Sequence, residues 1–74
     1  MKNLNQLQNI VSFSFSGYGH YKVTIKFRGK EYRKTTNNMP AIDAARSGDI
    51  TMGMTQKQAF LSLYNEVKRE HELR

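Results

Sequence analysis

Residues Ile10 to Arg28 read I-V-S-F-S-F-S-G-Y-G-H-Y-K-V-T-I-K-F-R, and this stretch decides the fold. Val11, Phe13 and Phe15 alternate with Ser12, Ser14 and Ser16, the period-two pattern of a strand with one buried face. Gly17-Tyr18-Gly19 predicts a reversal, because glycine accepts the positive φ that tight hairpins require. Beyond it the alternation resumes, with Tyr21, Val23, Ile25 and Phe27 on one face and Lys22, Thr24, Lys26 and Arg28 on the other. Placing Ser16 opposite His20 sets Phe15 against Tyr21, Phe13 against Val23 and Val11 against Ile25. All three apolar pairs then share a face, so turn and pattern agree on one register.

Working outward, Arg28-Gly29-Lys30 predicts a second turn, centred on either Arg28-Gly29 or Gly29-Lys30. Both choices put Tyr32 on the apolar face and leave Glu31, Arg33 and Thr35 on the outer one. The third strand ends near Thr36 or Asn37. Its later inward positions, Lys34 and Thr36, are those of an edge strand protected by charge. Asn38-Met39-Pro40 predicts the start of a short helix, with proline at the first helical position. That helix carries Ala41, Ile42, Ala44 and Ala45 and ends near Gly48. Asp49 to Met54 reads as a loop dropping Ile50, Met52 and Met54 onto the core, or as a short fourth strand. Thr55-Gln56-Lys57-Gln58 has capping-box spacing, with Met54 and Ala59 at the staple positions. Phe60, Leu63, Tyr64 and Val67 then recur at helical spacing, while Lys57, Ser62, Asn65, Glu66 and Arg69 face away, predicting a helix from Gln56 to about Glu72.

The expected fold is α+β: a three-stranded antiparallel β-meander packed on a C-terminal α-helix, with a short helix in the connection. The apolar helix stripe and the apolar sheet face can be buried only against each other. Residues 10–74 form a single domain. Residues 1–9 are a polar N-terminal segment, in which Leu4, Leu7 and Ile10 make either a helical turn or a frayed, disordered tail.

The chain has 74 residues and no cysteine, which removes disulfides, cysteine-ligated zinc and thiol nucleophiles and fits a reducing, cytoplasmic setting. Met1 to Asn9 lack the apolar segment of a signal peptide, and no apolar run approaches the roughly 20 residues that span a bilayer. No membrane partner is expected. The formal charge is +6, and six cations (Lys22, Lys26, Arg28, Lys30, Arg33, Lys34) against one acid, Glu31, put +5 of it between residues 22 and 34.

No constellation points to catalysis. His20 flanks a turn and His71 ends the last helix, so neither is placed with a nucleophile or an acid in a pocket. No ligand spacing supports a metal, and Gly17-Tyr18-Gly19 is followed by no helix start that would make it a phosphate loop. An enzyme, a cofactor and a small-molecule substrate are not expected. Lys22, Thr24, Lys26, Arg28 and Arg33 line one face of a ribbon able to enter a DNA major groove, with Lys30 in the turn reaching a flanking phosphate. Solvation of an exposed sheet face is the competing reading, but a solvating face usually mixes signs. The aromatic residues point to the core, Tyr18 excepted, which favours duplex DNA over single strands. The alternative function is a protein-interaction or self-associating accessory domain. There the third strand and the segment carrying Met39, Met52 and Met54 would dock a protein partner or make a homodimer.

The run Gly19 to Tyr32, G-H-Y-K-V-T-I-K-F-R-G-K-E-Y, followed by Thr55-Gln56-Lys57-Gln58-Ala59-Phe60 and Tyr64, is similar in layout to two families of DNA-binding domain. These are the AP2-type domains and the arm-binding N-terminal domains of phage and transposon integrases. The resemblance covers about half the chain, and it implies a sheet that reads DNA through Lys22, Lys26, Arg28 and Arg33. The chain differs from both families in lacking tryptophan and in inserting residues 37–54 before the helix. The style of S-F-S-G-Y-G-H-Y-K-V-T-I and R-G-K-E-Y also resembles small uncharacterised proteins of prophages and mobile elements in gut Bacteroidetes.

Overall fold

A computed structural model describes residues 3–47 and 53–73. Its elements, in order, are α1 (Leu4–Ile10), β1 (Val11–Gly17), β2 (His20–Phe27), β3 (Lys30–Thr36), α2 (Met39–Ser47) and α3 (Gln56–Glu70). The strands form an antiparallel sheet in the order β1-β2-β3. Helix α3 touches all three strands, α1 packs against α3, β1 and β2, and α2 packs against α3. The architecture is the α+β meander and C-terminal helix that the sequence predicts, with the short helix in the connection.

In the first hairpin Val11 pairs with Ile25, Phe13 with Val23 and Phe15 with Tyr21, as the pattern requires. The turn corrects one detail. Gly17, not Ser16, is opposite His20, and the register shifts between Phe15 and Gly17. Ser16 is the extra residue of a β-bulge, and its hydroxyl donates to the His20 carbonyl at 3.1 Å. The loop is therefore the two residues Tyr18-Gly19, both at positive φ (55° and 74°). The second turn repeats this with Arg28 at 53° and Gly29 at 79°, closed by the pair Phe27–Lys30. Two positive φ angles are what a type I′ hairpin needs, and they match the right-handed strand twist.

The inner sheet face and the helices share one core. Val11, Val23 and Ile25 are buried against Leu7, Ala41, Ile42, Ala59, Phe60, Leu63 and Val67, with Phe13, Tyr21, Phe27 and Tyr32 packed around them. Phe15 departs from expectation: it is 65 % exposed. Phe60 of α3 reaches Phe13, with ring centroids 6.1 Å apart. One cross-strand pair further along this edge strand, Phe15 makes its ring contact with Tyr21 at 5.4 Å.

The N-terminal segment is a seven-residue helix over residues 4–10, which resolves the choice between helical turn and tail for the residues described. Asn3 and Gln6 form a reciprocal capping box, each amide donating to the other's side chain at 2.9 Å. Leu7 is fully buried. In α2 the Asn38 carbonyl and side chain accept from Ile42 and Ala41, so the helix starts at Met39 and Pro40 is its second residue rather than its first. Gly48, Ile50 and Met52 lie outside the described residues. The capping box predicted for α3 is present, with Gln58 N–H donating to Thr55 Oγ1 and Thr55 N–H to Gln58 Oε1.

Helix α3 stops at Glu70, two residues before the predicted end. His71 caps it, Glu72 takes a left-handed φ of 55°, and the Leu73 amide donates back to the Lys68 carbonyl at 2.8 Å. This is a Schellman stop with glutamate where glycine is usual, completed by Leu73 packing on the core. Ser62 and Glu66, predicted to face away, are partly buried. The inward Lys34 of β3 donates to Glu66 at 2.8 Å, which is why a charged residue is tolerated at an inner-face position. Burial opposes ionisation of Glu66, but hydrogen bonds from Lys34, Thr36 and Asn38 and the Lys34 charge outweigh it and hold its carboxyl below the usual 4.5.

A carboxyl depressed in the folded state stabilises the fold above its unfolded-state value, and that stability is lost as pH falls through the folded value. Glu66→Gln is therefore expected to lower stability at pH 7 by about 1 kcal/mol, or about 4–8 °C in Tm, since the pair is only half-buried. The difference should shrink below about pH 4.5, as the wild-type carboxyl protonates. Thermal melts followed by circular dichroism from pH 3 to 7 check this. A constant gap across that range would mean that the ionised form is not what stabilises.

Candidate nucleic-acid interface

Among the described residues every helix packs on the inner side, and none covers the outer sheet face. Alternation along β2 places Lys22, Thr24 and Lys26 on it, about 6.6 Å apart in succession. Across the ladders Thr24 faces Ser12 and Arg33, Lys22 faces Ser14 and Thr35, and Lys26 faces Glu31. Lys22, Lys26 and Arg33 thus surround Thr24, the half-buried centre of the face, while the three cations themselves are exposed. Arg33 also lies 3.6 Å from Glu31, both side chains more than half exposed. Such a pair contributes little to stability and leaves the guanidinium available to another anion.

The structure divides the six-residue set that the sequence groups together. Lys22, Thr24, Lys26 and Arg33 share the outer face. Arg28 does not lie flat on it: its guanidinium sits 5.2 Å from the centre of the Phe27 ring, a helix-side residue. Lys30 pairs with Phe27, so parity sends it to the helix side, where its ammonium lies 5.8 Å from the Tyr32 ring centre. Lys68 of α3 completes this group, over Phe27 at 5.2 Å and Tyr64 at 5.4 Å. Lys34 is occupied by Glu66 on the inner side. The local +5 therefore separates into three cations against Glu31 on the outer face, net +2, and a second cationic group at the turn. Lys68 belongs to that second group but lies outside the run that drew attention to it. Its helical position, four residues after Tyr64, was the available signal.

Elsewhere, His71 has structural partners. His71 Nε2 donates to the Arg33 carbonyl at 2.7 Å and its ring packs on Tyr32 at 5.2 Å, tying the end of α3 to β3. His20 is an exposed hairpin residue. A shallow cleft of roughly 460 Å³ between β3 and α3 is lined by Lys34, Asn38, Ser62, Glu66, Arg69 and Glu70, and contains the Lys34–Glu66 pair. Among the described residues, no group of three His, Asp or Glu side chains is placed to hold a metal ion, and no helix is long and apolar enough to cross a membrane.

No family model, curated protein or solved structure matches this chain.

Proposed function

We propose that this chain is a non-enzymatic module that binds duplex nucleic acid, DNA in the first instance, through the open face of its sheet. The observation that carries this reading is the cluster of Lys22, Lys26 and Arg33 around Thr24 on a face that no helix covers. A narrow antiparallel sheet fits the major groove, where lysine and arginine neutralise phosphates or reach guanine edges, and threonine contacts bases or thymine methyls. Arg28 and Lys30 stand at the turn end, beside that face, in position for a flanking backbone.

Three to five phosphate contacts give a slope of log K against log salt of about −2.7 to −4.5. Fluorescence anisotropy of the full chain on a labelled 20-base-pair duplex is expected to show roughly 40- to 500-fold weaker binding at 200 mM than at 50 mM salt. Absence of binding at 50 mM salt overturns the reading. The other reading, a self-associating accessory domain, is favoured by a different part of the molecule: β1, an edge strand among the described residues, and the exposed aromatic residues Phe15 and Tyr18.

A further inference from the structure

We infer that β1 is a dimerisation edge, on which a second copy of this chain adds its own β1 to make a continuous six-stranded sheet. Among the described residues the sheet has two edge strands, β1 and β3, and they differ in chemistry. Strand β3 carries Lys30, Glu31, Arg33 and Lys34, which blunt edge pairing. Strand β1, V-S-F-S-F-S-G, has no charge, and neither does any residue from Asn3 to Gly19. Two copies of a chain with net charge +6 can therefore approach along this edge without opposing like charges across it.

The ladder geometry shows what the edge offers. Phe27 and Lys30 flank a two-residue turn, so they form a hydrogen-bonded pair. Alternation along β2 then directs the backbone groups of Val23 and Ile25 to β3 and those of Lys22 and Thr24 to β1. Their partners Ser14 and Ser12 bond inward, which leaves the amides and carbonyls of Phe13 and Phe15 pointing out of the sheet. The Val11 amide obeys the same alternation, donating to the Leu7 carbonyl instead of to β2.

Residues 12–16 read S-F-S-F-S, the same in both directions. With a two-fold axis at Ser14, Phe13 of each copy exchanges both backbone bonds with Phe15 of the other, while Ser12 faces Ser16 and Ser14 faces its own mate. Like meets like at every position, as an isologous contact requires. Phe15, 65 % exposed in the single copy, comes to lie against Phe13 of the second copy on the helix side. Edge pairing over one strand buries less than a standard interface, so a weak, reversible association is expected. The inference stands apart from nucleic-acid binding. If both hold, the two outer faces merge into one basic surface.

Ser14→Cys tests the register directly, because the wild-type chain has no cysteine. Residues on the axis form a non-hydrogen-bonded pair with Cα atoms about 4.5 Å apart, within disulfide range, whereas the two copies of position 12 are about 14 Å apart. Under mild oxidation Ser14→Cys is expected to form a disulfide-linked dimer at least tenfold faster than Ser12→Cys. Sedimentation velocity of the wild type should show a monomer–dimer equilibrium that Ser14→Lys abolishes with its circular dichroism spectrum unchanged. A strict monomer up to several hundred micromolar, or equal crosslinking at positions 12 and 14, overturns the inference. So does a dimer that is insensitive to Ser14→Lys.

Discussion

Replacing Leu7 with alanine is expected to destabilise the protein by about 3 kcal/mol and to lower its Tm by about 12–24 °C. Leu7 is fully buried, and α1 sits against α3, β1 and β2, so the lost side chain leaves a cavity bounded by three other elements. At about 0.05–0.15 kcal/mol per residue the whole domain has about 4–11 kcal/mol, so this one change removes a large fraction of it. Leu4→Ala, on the half-buried turn of the same helix, is expected to cost under about 1.5 kcal/mol. Phe15→Ser, at a site that contributes little to the core of a single copy, should cost less than about 0.5 kcal/mol in dilute solution. Chemical denaturation of the three variants checks the order. A Leu7→Ala variant as stable as the wild type would mean that α1 does not dock.

The hairpins were legible because two independent signals, period-two alternation and glycine-bearing turns, had to agree on a register. Thr55 to Gln58 was legible because a capping box is local. Asn3 to Gln6 has the same chemistry, with Leu4, Leu7 and Ile10 on one side, yet a seven-residue helix is too short to stand by itself and is held by tertiary contacts. The end of α3 was misread for a related reason. Without glycine to mark it, the stop depends on Leu73 reaching the core and holding Glu72 in a left-handed conformation, which no local rule anticipates. Phe15 shows the limit of alternation: the pattern assigns a residue to a face but not how far the covering helix extends.

Charge was the least legible feature, and parity explains why. Counting cations along residues 22–34 treats them as one patch, yet Lys30 and Lys34 fall on inner-face positions of β3. Lys34 is then consumed by Glu66, and Lys30 joins Arg28 and Lys68 around Phe27 and Tyr32. The outer face retains half of the six cations. A two-turn meander distributes a basic run over two faces and a rim, so the density of charge in sequence overstates its density on any one surface.

That division makes the second large effect specific. Neutralising Lys22 and Lys26 together, as Lys22→Gln and Lys26→Gln, is expected to reduce the salt slope by about 1.8 and duplex affinity at 50 mM salt by about two orders of magnitude. Glutamine keeps a polar, hydrogen-bonding side chain without the charge and avoids setting a carboxylate opposite Glu31, the cross-strand neighbour of Lys26, where like charges would destabilise the sheet. Lys57→Gln, an exposed position at the start of α3 in the helix layer, removes one charge from the other side and should change the slope by less than about 0.3. Arg28→Gln with Lys30→Gln separates the two cationic groups. If the sheet face is the binding surface, with the turn flanking it, this pair lowers affinity less than Lys22→Gln with Lys26→Gln does. If the turn pair costs more, the duplex lies along the Phe27–Tyr32 rim and the open face only solvates the sheet. A slope change from Lys57→Gln half that of the sheet pair, which removes twice the charge, would leave net charge, with no interface at all, as the source of binding.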